Sequence, residues 1–453
     1  MKRSAWTLLL GSSLALCLAA WLLPSAKEGA VLGRLDYRQF IFALAATALC
    51  ILISSIAATV KPFRRVVGFR LVAVYLAIAV ALIGWEAVAS LWPAEFFRDN
   101  PWYLSTGRAL AEARDLPFTR PPHIRWKGLS RGDLAMQNGD FDPSAREIVF
   151  ETDFEGFRNS RDIEKAEIIF LGDSFTEAGN VPEDETFVQQ VGRSRGVAVR
   201  NLGRAGYAPP FELIVLQNYG LKNEPQVVVW QLFETNDLSE SASYQQWMQS
   251  GRRPYRIVEP PETSARRQWS PTHRLFDALR RRKAWPLAGA FRDAKGNERE
   301  VRFLPVLPGA EHSPSVHPGW ATMAAALTEG AEILKARDIE LVVVLIPMKL
   351  RVMAEHVDFD PVVLTVEGTA RSYQHRLPEG WDLVPEATMA FYVAELCRSL
   401  GVRFVDAAPR LKQQAAAGEM VFLPMDTHLS PQGHAVVADL IDGALSEAAK
   451  APE

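Results

Sequence analysis

The chain has 453 residues, 48% of them hydrophobic, enough for a large core and more than one structural unit. Its 50 Lys and Arg against 53 Asp and Glu leave a net charge of −3, which gives no support for nucleic-acid binding. Cys17, Cys50 and Cys397 are scattered, and the first two lie in apolar runs, so the cysteines argue against a disulfide framework.

Residues 1–95 read as a membrane anchor. Three apolar stretches, about 5–23, 39–60 and 71–92, are nearly free of charge and long enough to cross a hydrocarbon core of roughly 30 Å. The first, led by Lys2-Arg3, also reads as a cleavable signal peptide. Lys61, Arg64, Arg65 and Arg70 fill the short loop between the second and third spans, and positive charge stays inside. Either way everything after Trp92 is expected outside the cytoplasm, anchored to the cytoplasmic (inner) membrane. Glu86, the one acid within a span, lies between Trp85 and Trp92 and suits interfacial snorkelling.

Residues 96–165 read as a connector, rich in Pro, Arg and Asp. Within it "REIVFETDFEGFRN" (146–159) alternates apolar and polar residues around a turn, which predicts a hairpin lead-in. From 166 to 453 the pattern becomes alternating strand and helix. Strands are predicted at 166–171, 197–201, 226–233, 340–346 and 402–406, and helices at 184–194, 210–222, 320–337, 386–400 and 431–447. Apolar strands interleaved with amphipathic helices predict an α/β fold, a mostly parallel sheet covered on both faces. Residues 238–319 break the rhythm and read as an insertion. Its run Arg280-Arg281-Arg282-Lys283 suits a solvated helix face or an anionic glycan or lipid head group.

Four polar clusters fall at strand ends, where open α/β sheets bind ligands: Gly172-Asp173-Ser174, "NLGRAGYAPP" (201–210), "ETND" (234–237) and "MDTHLSPQGH" (425–434). Acyl-group hydrolysis needs a nucleophilic hydroxyl, a base, a group to orient the base and donors for an oxyanion. Ser174 supplies the hydroxyl. His428 is the best base, because residues i and i+2 of an extended segment share a side and Asp426 can fix its tautomer. Ser430-Pro431 reads as the N-cap and first residue of the last helix. Oxyanion donors are expected from the Ser174 and Gly206 backbone N–H groups and the Asn236 side chain, each worth about 3–4 kcal/mol in the transition state.

The clusters resemble the four blocks of the SGNH, or GDSL, hydrolases over roughly residues 145–447. The resemblance implies a flavodoxin-like three-layer α/β/α sandwich and a serine esterase or acyltransferase that uses no metal or cofactor. It also implies Ser174 as nucleophile, Gly206 and Asn236 as oxyanion donors, and Asp426 and His428 as the rest of the triad. Two features depart from it: Glu234 stands where the third block usually has glycine, and Asp426 and His428 are one residue apart rather than two. The short spacing looks like the alginate acetyltransferase branch, as does Pro347-Met348-Lys349; Glu234 and Lys349 are expected to line the substrate. The implied substrate is an O-acyl group, O-acetyl above all, on an envelope or secreted polysaccharide, or another small acyl ester. A transferase would need a separate membrane protein as acyl donor, since three spans are few for carrying an activated acyl group across. A non-catalytic glycan-binding scaffold and a lipase or lysophospholipase remain the competing readings.

Overall fold

The computed structural model describes residues 119–249 (except 131 and 139–141), 287–304, 314–359 (except 315), 363–366, 369–372 and 389–448, with the short strands Ala30–Val31 and Leu35–Asp36. The chain divides into two units, Met1–Phe97 with Pro261–Arg281 and Arg98–Pro260 with Arg282–Glu453. The three apolar spans and the Arg280–Lys283 run lie outside the described residues. Among the described residues no helix is long and apolar enough to cross a membrane.

The larger unit is built on a five-stranded sheet whose pairings are all parallel. Its strands are β3 (Ile168–Leu171), β4 (Val199–Asn201), β5 (Val227–Phe233), β8 (Glu340–Ile346) and β10 (Arg403–Asp406), in the spatial order β10-β8-β5-β3-β4. Counted within the sheet this is the flavodoxin-like order, in which the chain switches direction between its first and third strands and opens a crevice there. The register aligns Ile168 with both Val199 and Val227, and Val227 with Glu340.

These strands are apolar throughout because both faces are buried. Phe170, Val342, Val344 and Ile346 point into one core, while Ile169, Leu171, Val343 and Leu345 point into the other. The first core packs α3 (Phe187–Arg195) and α10 (Pro431–Ala448), and the second α4 (Pro209–Asn218), α6 (Trp320–Lys335) and α8 (Met389–Leu400). The result is an α/β/α sandwich. Trp230, fully buried at the centre of β5, lies against Gly330 of α6, where a Cβ would collide with the indole ring. Gly330→Ala is therefore expected to destabilise the fold by about 1–3 kcal/mol through overpacking, read as a lower midpoint in urea unfolding.

Two predicted regions are built differently. Arg146–Glu151 (β2) does not fold back on residues 152–159; it pairs antiparallel with β1 (Arg125–Ser130), with α1 (Asp133–Asn138) between them. The reason lies at Asp153. Its Oδ1 accepts from Glu155 N at 2.9 Å and Phe157 N at 3.1 Å, and its Oδ2 accepts from Arg200 Nη2 at 2.8 Å. That carboxylate stops the strand and winds a polar turn. The interval expected as an insertion from 238 begins instead inside α5 (Asn236–Gln249), which packs against the sandwich: Leu238 and Ala242 are buried. A hairpin follows at β6 (Ala288–Arg292) and β7 (Glu298–Arg302), and β6 also pairs with β9 (Val357–Phe359).

Candidate active site

Ser174 opens α2 (Ser174–Glu177), a single turn directly after β3. Asp173 caps that turn, accepting from Phe175 N at 2.9 Å, and Asp173 N donates to Gln231 Oε1 on β5 at 3.3 Å. Gly172 has φ +154, and a Cβ there would collide with Thr176 Oγ1 and Gln231 Oε1. Glycine is thus required where the strand breaks so sharply into the turn. The break leaves Ser174 half-buried at the crevice, while Asp173 and Phe175 on either side are buried.

His428 Nε2 lies 2.8 Å from Ser174 Oγ, and His428 Nδ1 lies 2.6 Å from Asp426 Oδ1. Both side chains come from one tight turn between residues 421 and 430, closed by Leu423 N donating to His428 O at 3.0 Å and Ser430 N to Val421 O at 3.1 Å. His428 N also donates to Asp426 Oδ1 at 2.8 Å. The i, i+2 spacing therefore suffices to join acid and imidazole. Ser430 Oγ accepts from Gly433 N at 3.1 Å and caps α10, so the turn runs rigidly into a long helix.

Burial alone would disfavour an imidazolium at His428, but the Asp426 carboxylate, its hydrogen bond, and the charges of Asp133 and Asp173 outweigh it and raise the group to about 9. Asp426 is lowered: its own burial opposes the charge, and His428 with the surrounding N–H donors overcomes that. A base must be neutral to take a proton from serine, so activity should grow with the deprotonated fraction of His428. The kcat/KM for an ester is thus expected to rise about tenfold per pH unit below the His428 pKa, and still to be rising between pH 7 and pH 9. A plateau from pH 7 upward in the pH–rate profile would contradict this electrostatic reading.

The remaining predicted residues are placed as follows. Gly206, half-buried with φ +82, lies in the loop after β4, and Asn236 is the half-buried first residue of α5 after β5. The glycine loop is tied to the serine turn by Arg204 N donating to Gly172 O at 3.1 Å and Ala205 N to Glu177 Oε2 at 3.1 Å. Burial pushes the Asp173 carboxyl, beside Ser174, above its ordinary value, against the Phe175 N–H, His428 and the Asn236 side chain. Glu234 and Lys349, expected to line the substrate, are turned inward instead. Glu234, 7% exposed, pairs with Arg351 at 2.7 Å and accepts from Met348 N at 3.0 Å. A carboxylate is tolerated in place of glycine because this guanidinium neutralises it. Lys349, 4% exposed, donates Nζ to Leu423 O, Pro424 O and Asp426 O at 2.7, 2.8 and 3.0 Å. Burial pulls its ammonium down to about 7 against the pull of Asp426, Asp133 and Asp142.

Two further residues reach the triad that no motif marked. Asn180 Nδ2 donates to Asp426 Oδ2 at 2.6 Å, and Asp133 of α1 meets the same turn. Among the described residues, the group of metal-capable side chains is Asp133, Asp426 and His428, with donor atoms within 4.8 Å of one another. Hydrogen bonds engage all three side chains: Asp426 with His428 at 2.6 Å, and the Asp133 carboxylate with Thr427 N at 2.9 Å and Thr427 Oγ1 at 2.7 Å. Behind the serine loop lie Glu212, Asp237 and Glu240. Burial, then mutual repulsion with Asp173, keeps Glu212 and Asp237 well above the carboxylate range and lifts Glu240 to about 8.

A hydroxyl, an imidazole and a carboxylate in series at the carboxyl end of a sheet are the parts that nucleophilic acyl chemistry needs. Residues 310–453 match the family model described as "SGNH hydrolase-like domain, acetyltransferase AlgX". That match is a likeness of the segment that carries Asp426 and His428. No curated relative matches the chain. Among solved structures, a GDSL-like lipase from Bacteroides thetaiotaomicron is similar at 12% identity, over 62% of this chain and 88% of that one, with a TM-score of 0.28. An acetylxylan esterase from Geobacillus stearothermophilus is similar at 12% identity, over 61% and 92%, with a TM-score of 0.31. At such TM-scores these likenesses carry no argument about this chain.

Proposed function

We propose that the chain is a membrane-anchored, extracytoplasmic serine esterase or O-acyltransferase that acts on O-acyl groups, O-acetyl first, of an envelope or secreted polysaccharide. The observation that carries this reading is the unbroken series Ser174 Oγ–His428 Nε2 at 2.8 Å and His428 Nδ1–Asp426 Oδ1 at 2.6 Å. Ser174 Oγ attacks the acyl carbonyl as its proton passes to His428 Nε2. The N–H groups of Ser174 and Gly206 and the Asn236 amide receive the developing oxyanion. Collapse expels the sugar alkoxide, which takes the proton from His428, and leaves an acyl-serine. Water or a second sugar hydroxyl, deprotonated by the same imidazole, then frees the serine. Asp426 holds the Nδ1–H tautomer throughout.

Acetyl transfer is favoured because the segment bearing Asp426 and His428 is the one similar to the acetyltransferase model. The anchor rests on the three apolar spans of the sequence, and a transferase of this architecture would draw its acyl donor from a membrane partner. The full-length protein in detergent should release acetate from an aryl acetate and from acetylated polysaccharide. Acyl gain by a de-acetylated acceptor would assign transfer, and release into water alone would assign hydrolysis. No turnover of any ester by well-folded protein would leave the non-catalytic scaffold as the better reading. A periplasmic-type reporter fused after Trp92 should be active and one in the 61–70 loop silent; the reverse would overturn the orientation.

A further inference from the structure

We infer that Asp133, supplied by the lead-in segment 293 residues before the triad carboxylate, is a positioning residue of the active site that fixes the Asp426–His428 turn. The inference rests on the reading of Ser174, His428 and Asp426 as a triad. The contact is reciprocal. Asp133 N donates to Asp426 Oδ2 at 3.0 Å, while its carboxylate accepts from Thr427 N at 2.9 Å and from Thr427 Oγ1 at 2.7 Å. Leu134 N and Ala135 N both donate to Met425 O, at 3.1 and 3.2 Å. Gly132 lies so close to that carbonyl that a Cβ would collide with it.

These bonds complete the coordination of the triad acid. Asp426 Oδ1 accepts the His428 Nδ1–H and His428 N; Oδ2 accepts Asp133 N and Asn180 Nδ2. With both oxygens doubly satisfied, the carboxylate has one orientation, and the imidazole it holds has one as well. Lys349 ties down the other side of the turn through three carbonyls. Removing the Asp133 side chain leaves the Thr427 N–H and hydroxyl without their acceptor and frees this wall alone. A misplacement of about 1 Å can cost on the order of a hundredfold in rate, so the loss belongs in kcat.

Asp133 also acts through charge. The groups facing His428 are Asp426 on its own turn, Asp133 on α1 and Asp173 on the serine loop, each favouring the imidazolium. Behind the turn Lys349 faces Asp426, Asp133 and Asp142, and His434 on α10 is held neutral by burial, then by Arg158 and His428. Loss of the Asp133 charge should therefore lower the pKa of the base.

The test compares Asp133→Ala and Asp133→Asn in the full-length enzyme, with Lys127→Ala, an exposed β1 residue, as a lead-in control. Active enzyme is counted by fluorophosphonate labelling. Asp133→Ala is expected to lose about tenfold to a hundredfold in kcat with KM changed less than about threefold. Asp133→Asn keeps an acceptor for Thr427 N and should recover most of kcat, while the acid limb of its kcat/KM profile moves to lower pH. A wild-type kcat per labelled site and an unmoved acid limb in both variants would overturn the inference, leaving Asp133 a purely structural contact. Should Asp133→Ala fail to fold, the acid limb of Asp133→Asn decides alone. Ser174→Ala run in parallel separates the two claims: activity retained there sinks the triad reading itself, whereas an inactive Ser174→Ala beside unaffected Asp133 variants sinks only this inference.

Discussion

Ser174→Ala is expected to lose turnover of an aryl acetate by several orders of magnitude, on the order of a millionfold in the best-measured serine triad, while folding like the wild type. The two halves of this expectation have separate causes. The Ser174 hydroxyl lies 2.8 Å from His428 Nε2, and that imidazole is held by the Asp426 carboxylate at 2.6 Å. Alanine removes the atom that would bond to the acyl carbon, and neither His428 nor the half-exposed oxyanion loops can replace it. Ser174 is half-buried, and the α2 turn is held by its neighbours: by the Asp173 cap, by Thr176 Oγ1 donating to Gln231 Oε1 at 2.8 Å, and by Arg120 Nε donating to Glu177 Oε1 at 2.6 Å. The thermal midpoint should therefore shift by little, as for a surface substitution within about 0.5 kcal/mol. Activity above about a tenth of wild type in a homogeneous Ser174→Ala preparation would end the nucleophile assignment.

Asp426→Asn is expected to cost about ten-thousandfold in kcat, the loss found when a triad carboxylate becomes its amide. The amide can present an N–H toward His428 Nδ1, which then must hold the lone pair there and the proton on Nε2, the wrong tautomer for a base. The same change removes the largest charge favouring the imidazolium, so the residual activity should have its acid limb at lower pH. Asn180 Nδ2, 3.3 Å from His428 Nδ1 and 2.6 Å from Asp426 Oδ2, cannot substitute, since it is a donor facing a position that needs an acceptor. Glu234, the acid that replaces a glycine in the third block, is out of contention because Arg351 holds it. A loss of only a few-fold would mean that Asp133, the next carboxylate on the turn, takes over the orientation.

The sheet was legible because its strands carry their burial openly. "ELVVVLI" has no polar side chain after its first residue, and the strand occupies the same residues, Glu340–Ile346. Helices such as Trp320–Lys335 and Pro431–Ala448 were equally plain, the second because the Ser430-Pro431 pair marks its start. The helix Asn236–Gln249 was not: "NDLSESASYQQWMQ" spends its polar residues on both faces, and the contacts that make it helical come from α4 and α6, which sequence pattern does not show. The site divides the same way. Ser174, Asp426 and His428 stand in short runs whose residue types belong to one chemistry. Asp133 and Asn180 sit in "RGDLAMQN" and "EAGN", runs that any loop could contain, and they acquire meaning only when the fold brings them within 3.0 Å of Asp426. Glu234 and Lys349 show the converse, since residue type and position suggested the crevice while Arg351 and the 423–426 carbonyls draw them inside.

The central claim is a covalent acyl-Ser174 intermediate, and mass spectrometry of acid-quenched enzyme after brief exposure to an aryl acetate tests it most directly. One acetyl group per chain, mapped to the peptide that contains Gly172-Asp173-Ser174 and absent from Ser174→Ala, is the result expected. Acetate release at full rate with no adduct on that peptide, or an adduct that persists in Ser174→Ala, would contradict it.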